Sequence, residues 1–212
     1  YSIQHMLNQQ IARNKKMMEE KLQTELQLLK AQINPHFLFN ALNNVYSLTY
    51  MKSDKASESV LKLSEMLRYV IEDCSAEKVP LRNEMDYLTN LIEFYKLKSP
   101  GKRKITFRQE IGNPDVMIVP MLFMPFIENS FKYSRIEEDR SGFIELELRE
   151  ASGILHFTVR NSIFSERTIL KGSGQGIANV RHRLNILYPD QYRLSTERKD
   201  DVFIVELEIR LK

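Results

Sequence analysis

The stretch QINPHFLFN, residues 32–40, decides how the first half of the chain is interpreted. Pro35 stands inside a helical pattern, where proline removes a backbone hydrogen bond and kinks the helix at a cost of about 3 kcal/mol. Gln32, His36 and Asn40 are spaced four residues apart, so they share one helix face. A neutral imidazole can attack a phosphoryl group, and flanking amides can orient it or position a water. The stretch predicts a kinked helix with a candidate nucleophile at His36; the alternative is a buried, hydrogen-bonded histidine beside a structural kink.

Helical periodicity extends on both sides of this stretch and predicts helices over about 3–47, 54–74 and 83–97. Their apolar stripes are Met18, Leu22, Leu26, Leu29 and Ile33; Val60, Leu63, Leu67, Val70 and Ile71; and Met85, Leu88, Ile92 and Tyr95. A two-helix hairpin offers too little surface to cover such stripes, and hairpins of this kind commonly pair into four-helix bundles. We therefore expect a homodimer with the stripe at 18–33 at or near the interface; the alternative is that this stripe packs only on its own chain.

The sequence changes character at Pro100-Gly101, a turn signal that predicts domains at 1–98 and 102–212. Beyond it, apolar residues alternate with polar ones, as expected for strands that bury one face. The alternating residues are Ile105, Phe107 and Ile111; Ile144, Leu146 and Leu148; Leu155, Phe157 and Val159; Tyr192, Leu194 and Thr196; and Phe203, Val205, Leu207, Ile209 and Leu211. Helices are predicted over about 119–133 and 177–188. The pattern indicates an α+β chain, in which a helical region precedes a mainly antiparallel sheet covered by helices on one face.

Composition excludes several classes of protein. The 212 residues include 31 basic and 28 acidic side chains, spread evenly, which argues against a nucleic-acid-binding surface. The single cysteine, Cys74, excludes an intrachain disulfide and cysteine-rich metal sites. No apolar run approaches the length of a membrane span. Because the first residue is Tyr1, we expect the chain to be part of a longer protein, with a sensor domain or membrane anchor ahead of it.

A second stretch, PFIENSFKYS at 125–134, places Asn129, Lys132 and Tyr133 on one helix face. An amide oxygen is a suitable ligand for magnesium, a lysine one turn on can neutralise phosphate oxygens, and an aromatic ring can pack near a base. The alternative is an amphipathic helix whose polar face is only solvated.

A third stretch, GSGQGIANVRHRL at 172–184, holds three of the seven glycines within five residues and leads directly into a helix. Glycine lets backbone N–H groups approach an anion closely, and a helix N-terminus adds partial positive charge. The arrangement suits a phosphate, although it matches neither the Walker pattern nor the dinucleotide fingerprint. The alternative is a flexible loop.

Taken in order, the three stretches resemble the motifs of sensor histidine kinases, specifically the LytS/YehU type. The phosphoacceptor motif of that family reads like QINPHFLFN, its nucleotide-binding helix like PxxENAxKH/Y, and its late glycine motif like GxGxGLxNxxxRL. The similarity covers nearly the whole chain, from about 29 to 211. It implies a helical dimerisation and phosphoacceptor region, followed by an α/β-sandwich ATP-binding domain of the Bergerat type.

The resemblance also implies roles for individual residues. His36 would take the γ-phosphoryl group of ATP, with Gln32 and Asn40 beside it, and Asn129 would help to hold Mg²⁺. The other nucleotide contacts would come from Lys132, Tyr133, Gly172, Gly174 and Gly176, with lesser support from Asn179 and Arg181. The phosphoryl group would pass to an aspartate of a response regulator, in this family often one with a LytTR domain. The chain would be the cytoplasmic part of a protein anchored in the cytoplasmic membrane.

One motif of the family departs from its usual form in this chain. The adenine-contacting segment of the family is similar to DNGxG, whereas the matching segment reads VRNSIF, with Asn161 in place of the aspartate and Ile163 in place of glycine. The Asn161 amide oxygen could still accept a hydrogen bond from the adenine amino group if its NH₂ end points away. The departure motivates an alternative, a non-catalytic dimeric scaffold or allosteric regulator with a degraded nucleotide site. A DNA-binding helical protein is a weaker third alternative, because the basic residues are not clustered.

Overall fold

The computed structural model describes residues 13, 35–74, 76–98, 104–136, 139, 141–163 and 173–211. Within them, helices fill the first part and a five-stranded sheet with two further helices fills the second. The predicted α+β fold class is therefore confirmed. None of the helices in this described part is long and apolar enough to cross a lipid bilayer.

The first part contains three α-helices, named α1 (Pro35–Tyr50), α2 (Ala56–Arg68) and α3 (Leu81–Lys98). A five-residue π-helix, Tyr69–Asp73, continues α2. Helices α2 and α3 pack against each other. The Tyr69 ring of the π-helix lies 5.0 Å from the Tyr87 ring of α3 between centroids, with the ring planes tilted by 34°. An ion pair between Lys62 and Glu93 joins the same two helices near the surface.

The sheet of the second part has the strand order β2-β4-β5-β7-β6, formed by β2 (Lys104–Ile111), β4 (Phe143–Ala151), β5 (Ile154–Ser162), β6 (Tyr192–Lys199) and β7 (Val202–Arg210). Strand β2 pairs with β4 in parallel, and the other neighbours pair antiparallel. The turn between β4 and β5 has positive φ at both Ser152 and Gly153, +54° and +76°. Two such residues form the tight hairpin turn that matches the right-handed twist of the strands.

One face of the sheet is buried, as the alternation predicts. The buried residues include Ile144, Leu146, Leu148, Leu155, Phe157, Val159, Val205, Leu207 and Ile209. Helices α4 (Met124–Tyr133) and α5 (Ser173–Leu187) pack against each other, and α4 contacts β5. The Phe157 ring lies 4.4 Å from that of Phe123 and 6.1 Å from that of Phe126, between centroids. These rings anchor the start of α4 to the middle of the sheet.

The structure corrects several details of the sequence-based expectations. Residues 119–123, predicted to be helical, form an irregular segment before α4. The segment 1–98, in which no strand was expected, contains a two-residue strand β1 (Val79–Pro80) that pairs with β3 (Met117–Ile118). The stripe predicted on the second helix does not form one buried face, because Val60 and Ile71 are exposed while Leu63 is buried.

By backbone contacts the chain divides into compact units at 1–43 and 44–212. Helices α2 and α3 therefore belong to the same unit as the sheet. The apolar stripe expected at 18–33 lies outside the described residues. The functional division at 1–98 and 102–212 stays a prediction.

Candidate functional site

Helix α4, which carries the second sequence motif, is the crossover between two parallel strands. Strand β2 precedes it, β4 follows it, and these strands are neighbours in the sheet. Parallel neighbours require such a connection, usually a helix that packs on the sheet. Pro125 stands in the first turn of α4, where proline costs no hydrogen bond. The buried residues Phe126 and Ile127 face the core, so the opposite side of the helix is left for polar groups.

The three predicted site residues of α4 differ in exposure. Asn129 is half-buried and Lys132 is exposed. Tyr133 is 8% exposed, and its hydroxyl is hydrogen-bonded to no other described residue. The Lys132 Nζ lies 5.1 Å from the centroid of the Tyr133 ring, a cation–π distance. The lysine therefore stands over the aromatic ring, at the same end of α4.

A hydrogen bond connects α4 to the end of β5. The single proton of the Ser130 hydroxyl is shared between the Phe126 carbonyl, 3.0 Å from Oγ, and Asn161 Oδ1, 3.1 Å from Oγ. Asn161 Nδ2 donates to the backbone carbonyl of Ser162 at 2.9 Å. Asn161 is 2% exposed, so this amide is held in one orientation. Its oxygen is directed to the α4 side and its nitrogen to the strand. Because an amide oxygen has two lone pairs, Oδ1 keeps acceptor capacity beyond the Ser130 bond.

A second set of hydrogen bonds is made by Ser162 and Ile163, the two residues that follow Asn161. Ser162 Oγ donates to the carbonyl of Ser134 at 3.1 Å and accepts the N–H of Phe143 at 3.0 Å. Ile163, the residue in place of the family's glycine, is 3% exposed and donates its N–H to the carbonyl of Asp201 at 2.8 Å. The end of β5 is therefore tied to the end of α4 and to β4.

The glycine motif begins helix α5. Gly172 lies outside the described residues, whereas the backbones of Gly174 and Gly176 are in the helix. The helix predicted over about 177–188 therefore begins earlier, at Ser173, and the role of Gly174 and Gly176 in nucleotide binding stays a prediction. The first N–H groups of a helix have no partner within it, so they remain available to an anion.

The residues expected to support the glycine motif are exposed on α5. Asn179 and Arg181 both lie at the surface, and Arg181 Nη2 donates to the carbonyl of Leu194 at 3.3 Å. Arg181 therefore ties α5 to strand β6.

The phosphoacceptor motif is described only in part. His36 and Asn40 lie on helix α1 by their backbones, while their side chains and the whole of Gln32 are outside the described residues. The structure places Asn129 and Tyr133 on α4 and joins that helix to Asn161 through Ser130. The placement of His36 relative to them stays a prediction.

Sequence reasoning missed a buried carboxylate, Glu84. It lies on α3 at 0% exposure, with the buried Leu81 and Leu88 on the same helix face. An acidic residue on an apolar helix face is a signal that could have revealed it. Burial raises the pKa of the Glu84 carboxyl to about 7, against the opposing effects of hydrogen bonds from Tyr69 and Met121. Burial also lowers the pKa of the Arg183 guanidinium, and the nearby charge of Glu84 opposes that shift.

Helix α4 carries a candidate ligand for Mg²⁺, the amide oxygen of Asn129. The Asn129 side chain is half-buried on α4, and its amide oxygen is a suitable ligand atom for magnesium. Magnesium usually takes one or two protein oxygens and completes its shell with water and substrate phosphates, so one amide fits the requirement. In the described ranges no three His, Cys, Asp or Glu side chains are grouped as a metal site.

Comparison with known proteins identifies relatives. A family model for histidine kinases matches residues 24–103. The chain is 26% identical over 185 residues to the sensor protein LytS of Bacillus cereus. The matched region covers 82% of the chain and 31% of that relative. It is also 26% identical over 189 residues to the sensor histidine kinase YpdA of Escherichia coli, and this match covers 84% of the chain and 33% of YpdA. The chain therefore spans about a third of the length of these curated relatives.

Solved structures of histidine kinases also resemble the chain. The histidine kinase domain of a blue-light activated histidine kinase from Erythrobacter litoralis matches 91% of the chain and 96% of its own length, with 18% identity and a TM-score of 0.48. The sequence matches confirm the resemblance to LytS-type sensor histidine kinases that was inferred from the three motifs.

Proposed function

We propose, from the confirmed resemblance of this chain to LytS-type sensor histidine kinases, that it is the catalytic part of a two-component sensor kinase. It would autophosphorylate His36 with Mg-ATP and pass the phosphoryl group to an aspartate of a response regulator. The family model spans the residues around His36, and the similarity to LytS and YpdA extends over 82% and 84% of the chain. Because the chain covers only part of each relative, the sensed signal and the cognate regulator depend on the longer protein.

One observation supports this proposal above the others, the hydrogen bond at 3.1 Å between Ser130 and Asn161. It joins the nucleotide helix of the family to the position of the adenine-contacting residue, although the two are 31 residues apart in sequence. The contact brings helix α4 against the end of strand β5, as a pocket lined by both elements would require. The Asn161 oxygen is also directed away from the strand, as acceptance from an adenine amino group requires.

The proposed step is an in-line phosphoryl transfer. A ring nitrogen of His36 attacks the γ-phosphorus of ATP, an N–P bond forms, the bond to the β,γ-bridging oxygen breaks, and ADP leaves. Such transfers depend chiefly on positioning and on neutralising the charge of the phosphate oxygens. In this chain the Asn129 amide would hold the metal, Lys132 would meet the phosphates, and Tyr133 would line the pocket. Gly172, Gly174 and Gly176 would let the N-terminal N–H groups of α5 approach the phosphates.

The experiment is incubation of the chain with γ-labelled ATP and magnesium. We expect a protein-bound label that is labile to acid and stable to alkali, as a phosphohistidine is. It should be absent in His36→Ala and unchanged in His156→Ala, a matched control that removes an exposed histidine from β5. Label that survives in His36→Ala would contradict the assignment.

A scaffold without kinase activity is the second candidate, favoured by the amide at Asn161 and the buried Ile163. It predicts that Mg-ATP binds but labels no histidine. Failure of Mg-ATP to bind at all would overturn both candidates. The same labelling experiment, accompanied by a binding measurement, therefore separates the two.

The dimer and the location of the protein are part of the proposal. Several large apolar side chains on α1 and α2 are exposed in the single chain: Phe39, Leu42, Tyr46, Tyr50, Val60 and Leu61. A second copy of the same helices would cover them in a four-helix bundle. The response-regulator partner, of LytTR type in many members of the family, and attachment of the longer protein to the cytoplasmic membrane follow from the resemblance alone.

A further inference from the structure

The segment that leads into the nucleotide helix is buried and conformationally unusual. Val119, Met121, Leu122 and Phe123 are all at most 7% exposed. Met121 has a φ of +57°, in the left-handed region that costs a residue with a Cβ roughly 1–2 kcal/mol. Backbone groups in such a segment cannot reach water, so each requires a partner. The partners come from two helices that are distant in sequence.

Helix α3 supplies the first partner. Glu84 Oε1 accepts the backbone N–H of Met121 and the hydroxyl of Tyr69. No described residue hydrogen-bonds to Glu84 Oε2, although that atom is buried. A buried carboxylate is costly. Because the Glu84 carboxylate accepts the N–H of Met121, whose backbone is in the left-handed region, we infer that the conformation of Met121 depends on Glu84.

Helix α5 and the residue that follows it supply the other partners. Arg183 Nη2 donates to the carbonyl of Pro120 at 2.8 Å, and Nη1 lies 3.5 Å from the carbonyl of Met121. The hydroxyl of Tyr188 accepts the N–H of Val119 at 3.0 Å. Both polar backbone groups of Met121 are therefore engaged, the N–H by α3 and the carbonyl by α5.

Helix α3 also contacts helix α4 itself, beyond the segment at 119–123. The Tyr87 hydroxyl lies 3.8 Å from Met124 Sδ at the first residue of α4. The ring of Tyr95 stacks on that of Phe131 at 3.8 Å between centroids, near the end of α4. The contacts at 84, 87 and 95 recur at near-helical spacing, so one face of α3 contacts α4 from its start to its end.

We propose that Glu84 and Arg183 are positioning residues, which together hold Met121 in its left-handed conformation and thereby fix the place of Asn129. The proposal rests on the function proposed above, since Asn129 matters only if α4 binds Mg-ATP. Through this arrangement a shift of α3 or α5 moves the start of α4 directly. Displacements near 1 Å are enough to cost a phosphoryl-transfer site much of its activity.

The test uses the whole chain and four variants. Glu84→Ala removes the acceptor, and Glu84→Gln keeps an oxygen for the Met121 N–H. Arg183→Met removes every donor, and Arg183→Lys keeps the charge but loses the two-pronged contact with Pro120 and Met121. Binding of trinitrophenyl-ATP with magnesium is measured by fluorescence well below the melting temperature of each variant. Amide hydrogen exchange over 119–133 is measured without nucleotide.

We expect Glu84→Ala and Arg183→Met to weaken binding roughly tenfold or more, the equivalent of about one hydrogen bond, and to speed exchange at 121–124 by a similar factor. Glu84→Gln should stay within about threefold of the parent in both measurements, since the oxygen that holds Met121 is retained. Asp86→Asn and Arg149→Met are matched controls, since each removes an exposed charge from another position. Their binding and exchange should equal those of the parent.

A background variant separates positioning from general stability. If Glu84 acts through Asn129, Glu84→Ala should weaken the magnesium-dependent part of binding in the parent and have no such effect in Asn129→Ala. An equal loss in both backgrounds would overturn the proposal, and so would unchanged exchange at Met121 in Glu84→Ala.

Two further outcomes remain decisive. Where Glu84→Ala or Arg183→Met does not fold, Arg183→Lys still tests the proposal, since it should speed exchange at 121–124 and unchanged exchange would overturn it. If the parent itself binds no nucleotide, the proposed function fails. The exchange data then decide alone whether Glu84 and Arg183 hold α4.

Discussion

Ser130 on helix α4 and Asn161, the penultimate residue of strand β5, form a buried hydrogen bond of 3.1 Å. The bond holds the amide of Asn161 in the orientation in which its oxygen can accept and its nitrogen is already engaged by the Ser162 carbonyl. In the proposed site, this amide oxygen would serve as the adenine acceptor in place of the carboxylate of the family.

Removal of this acceptor should weaken nucleotide binding. We expect Asn161→Ala to lower the affinity for Mg-ATP by roughly tenfold or more, because one hydrogen bond in a buried site is lost. Ser130→Ala should instead destabilise the fold by about 1 kcal/mol and change affinity less, since the amide oxygen remains. Isothermal titration and urea unfolding measure the two effects. Equal affinity of Asn161→Ala and the parent would show that Asn161 does not contact the base.

Asn129 should be required for the magnesium dependence of binding. In Asn129→Ala the amide oxygen is gone, so we expect added magnesium no longer to strengthen ATP binding, while the oligomeric state stays that of the parent. Asn185→Ala is the matched control, because it removes an exposed amide from the neighbouring helix α5. Titration with ATP in the presence and absence of magnesium gives the result. A variant that keeps the full magnesium effect would remove Asn129 from the site.

Glu84 should make stability depend on pH. Its carboxyl has a pKa of about 7 in the folded chain and an ordinary value near 4.5 when unfolded. The groups that face it are Tyr69, Cys74, Tyr87, Arg183 and Tyr188. Between these two pH values the folded state keeps a proton that the unfolded state has released, so the free energy of unfolding falls as pH rises. The contribution is complete below about pH 4.5 and lost above about pH 7, and it amounts to about 3 kcal/mol.

Urea unfolding at pH 5 and pH 8 provides the measurement for this group. Relative to Glu84→Gln, which does not titrate, the parent should lose about 2.5 kcal/mol between the two pH values, because part of the contribution is already lost at pH 5. Asp86→Asn, an exposed carboxylate on the same helix, should follow the parent. Parallel curves for the parent and Glu84→Gln would contradict the raised pKa.

The exposed apolar side chains of α2 should carry the dimer. Val60 and Leu61 are 51% and 59% exposed in the single chain. We expect the double variant Val60→Glu and Leu61→Glu to shift the chain toward monomer, because charged side chains are poorly tolerated in a helix-bundle interface. Ile186→Glu, an equally exposed apolar residue on α5, is the control and should leave the mass unchanged. Sedimentation velocity reports the masses, and a double variant that sediments like the parent dimer would place the interface elsewhere.

The strands could be predicted from the sequence because their side chains follow a local rule. Leu155, Phe157 and Val159 alternate with polar residues, and the burial of one sheet face reproduces that alternation. The irregular conformation of residues 119–123 could not be predicted, because the backbone of Met121 is hydrogen-bonded to Glu84 and Arg183, which lie far away in sequence. A run of apolar residues carries no information about such partners.

The placement of the candidate site residues of α4 on one helix could be predicted from the sequence, whereas the contacts that support that helix could not. Asn129, Lys132 and Tyr133 follow from helical spacing, whereas the contact of Ser130 with Asn161 depends on where β5 ends relative to α4. The exposure of Val60 was also unpredictable, since its stripe looks continuous until α3 is seen to cover only the side with Leu63. Periodicity identifies apolar residues, but it does not say which helix covers them.

The parallel pairing of β2 with β4 has a consequence for the order of folding. Strands β4 and β5 are joined by a two-residue turn, whereas β2 reaches β4 only after the chain from 112 to 142 has closed. Distant pairings carry a larger entropic barrier, so we expect the β4–β5 hairpin to form early and β2 to join late. Pulse-labelled exchange during refolding would resolve the two events. Because the helix with Asn129 lies inside that crossover, a newly made chain should form the β4–β5 hairpin before the proposed nucleotide-binding helix is in place.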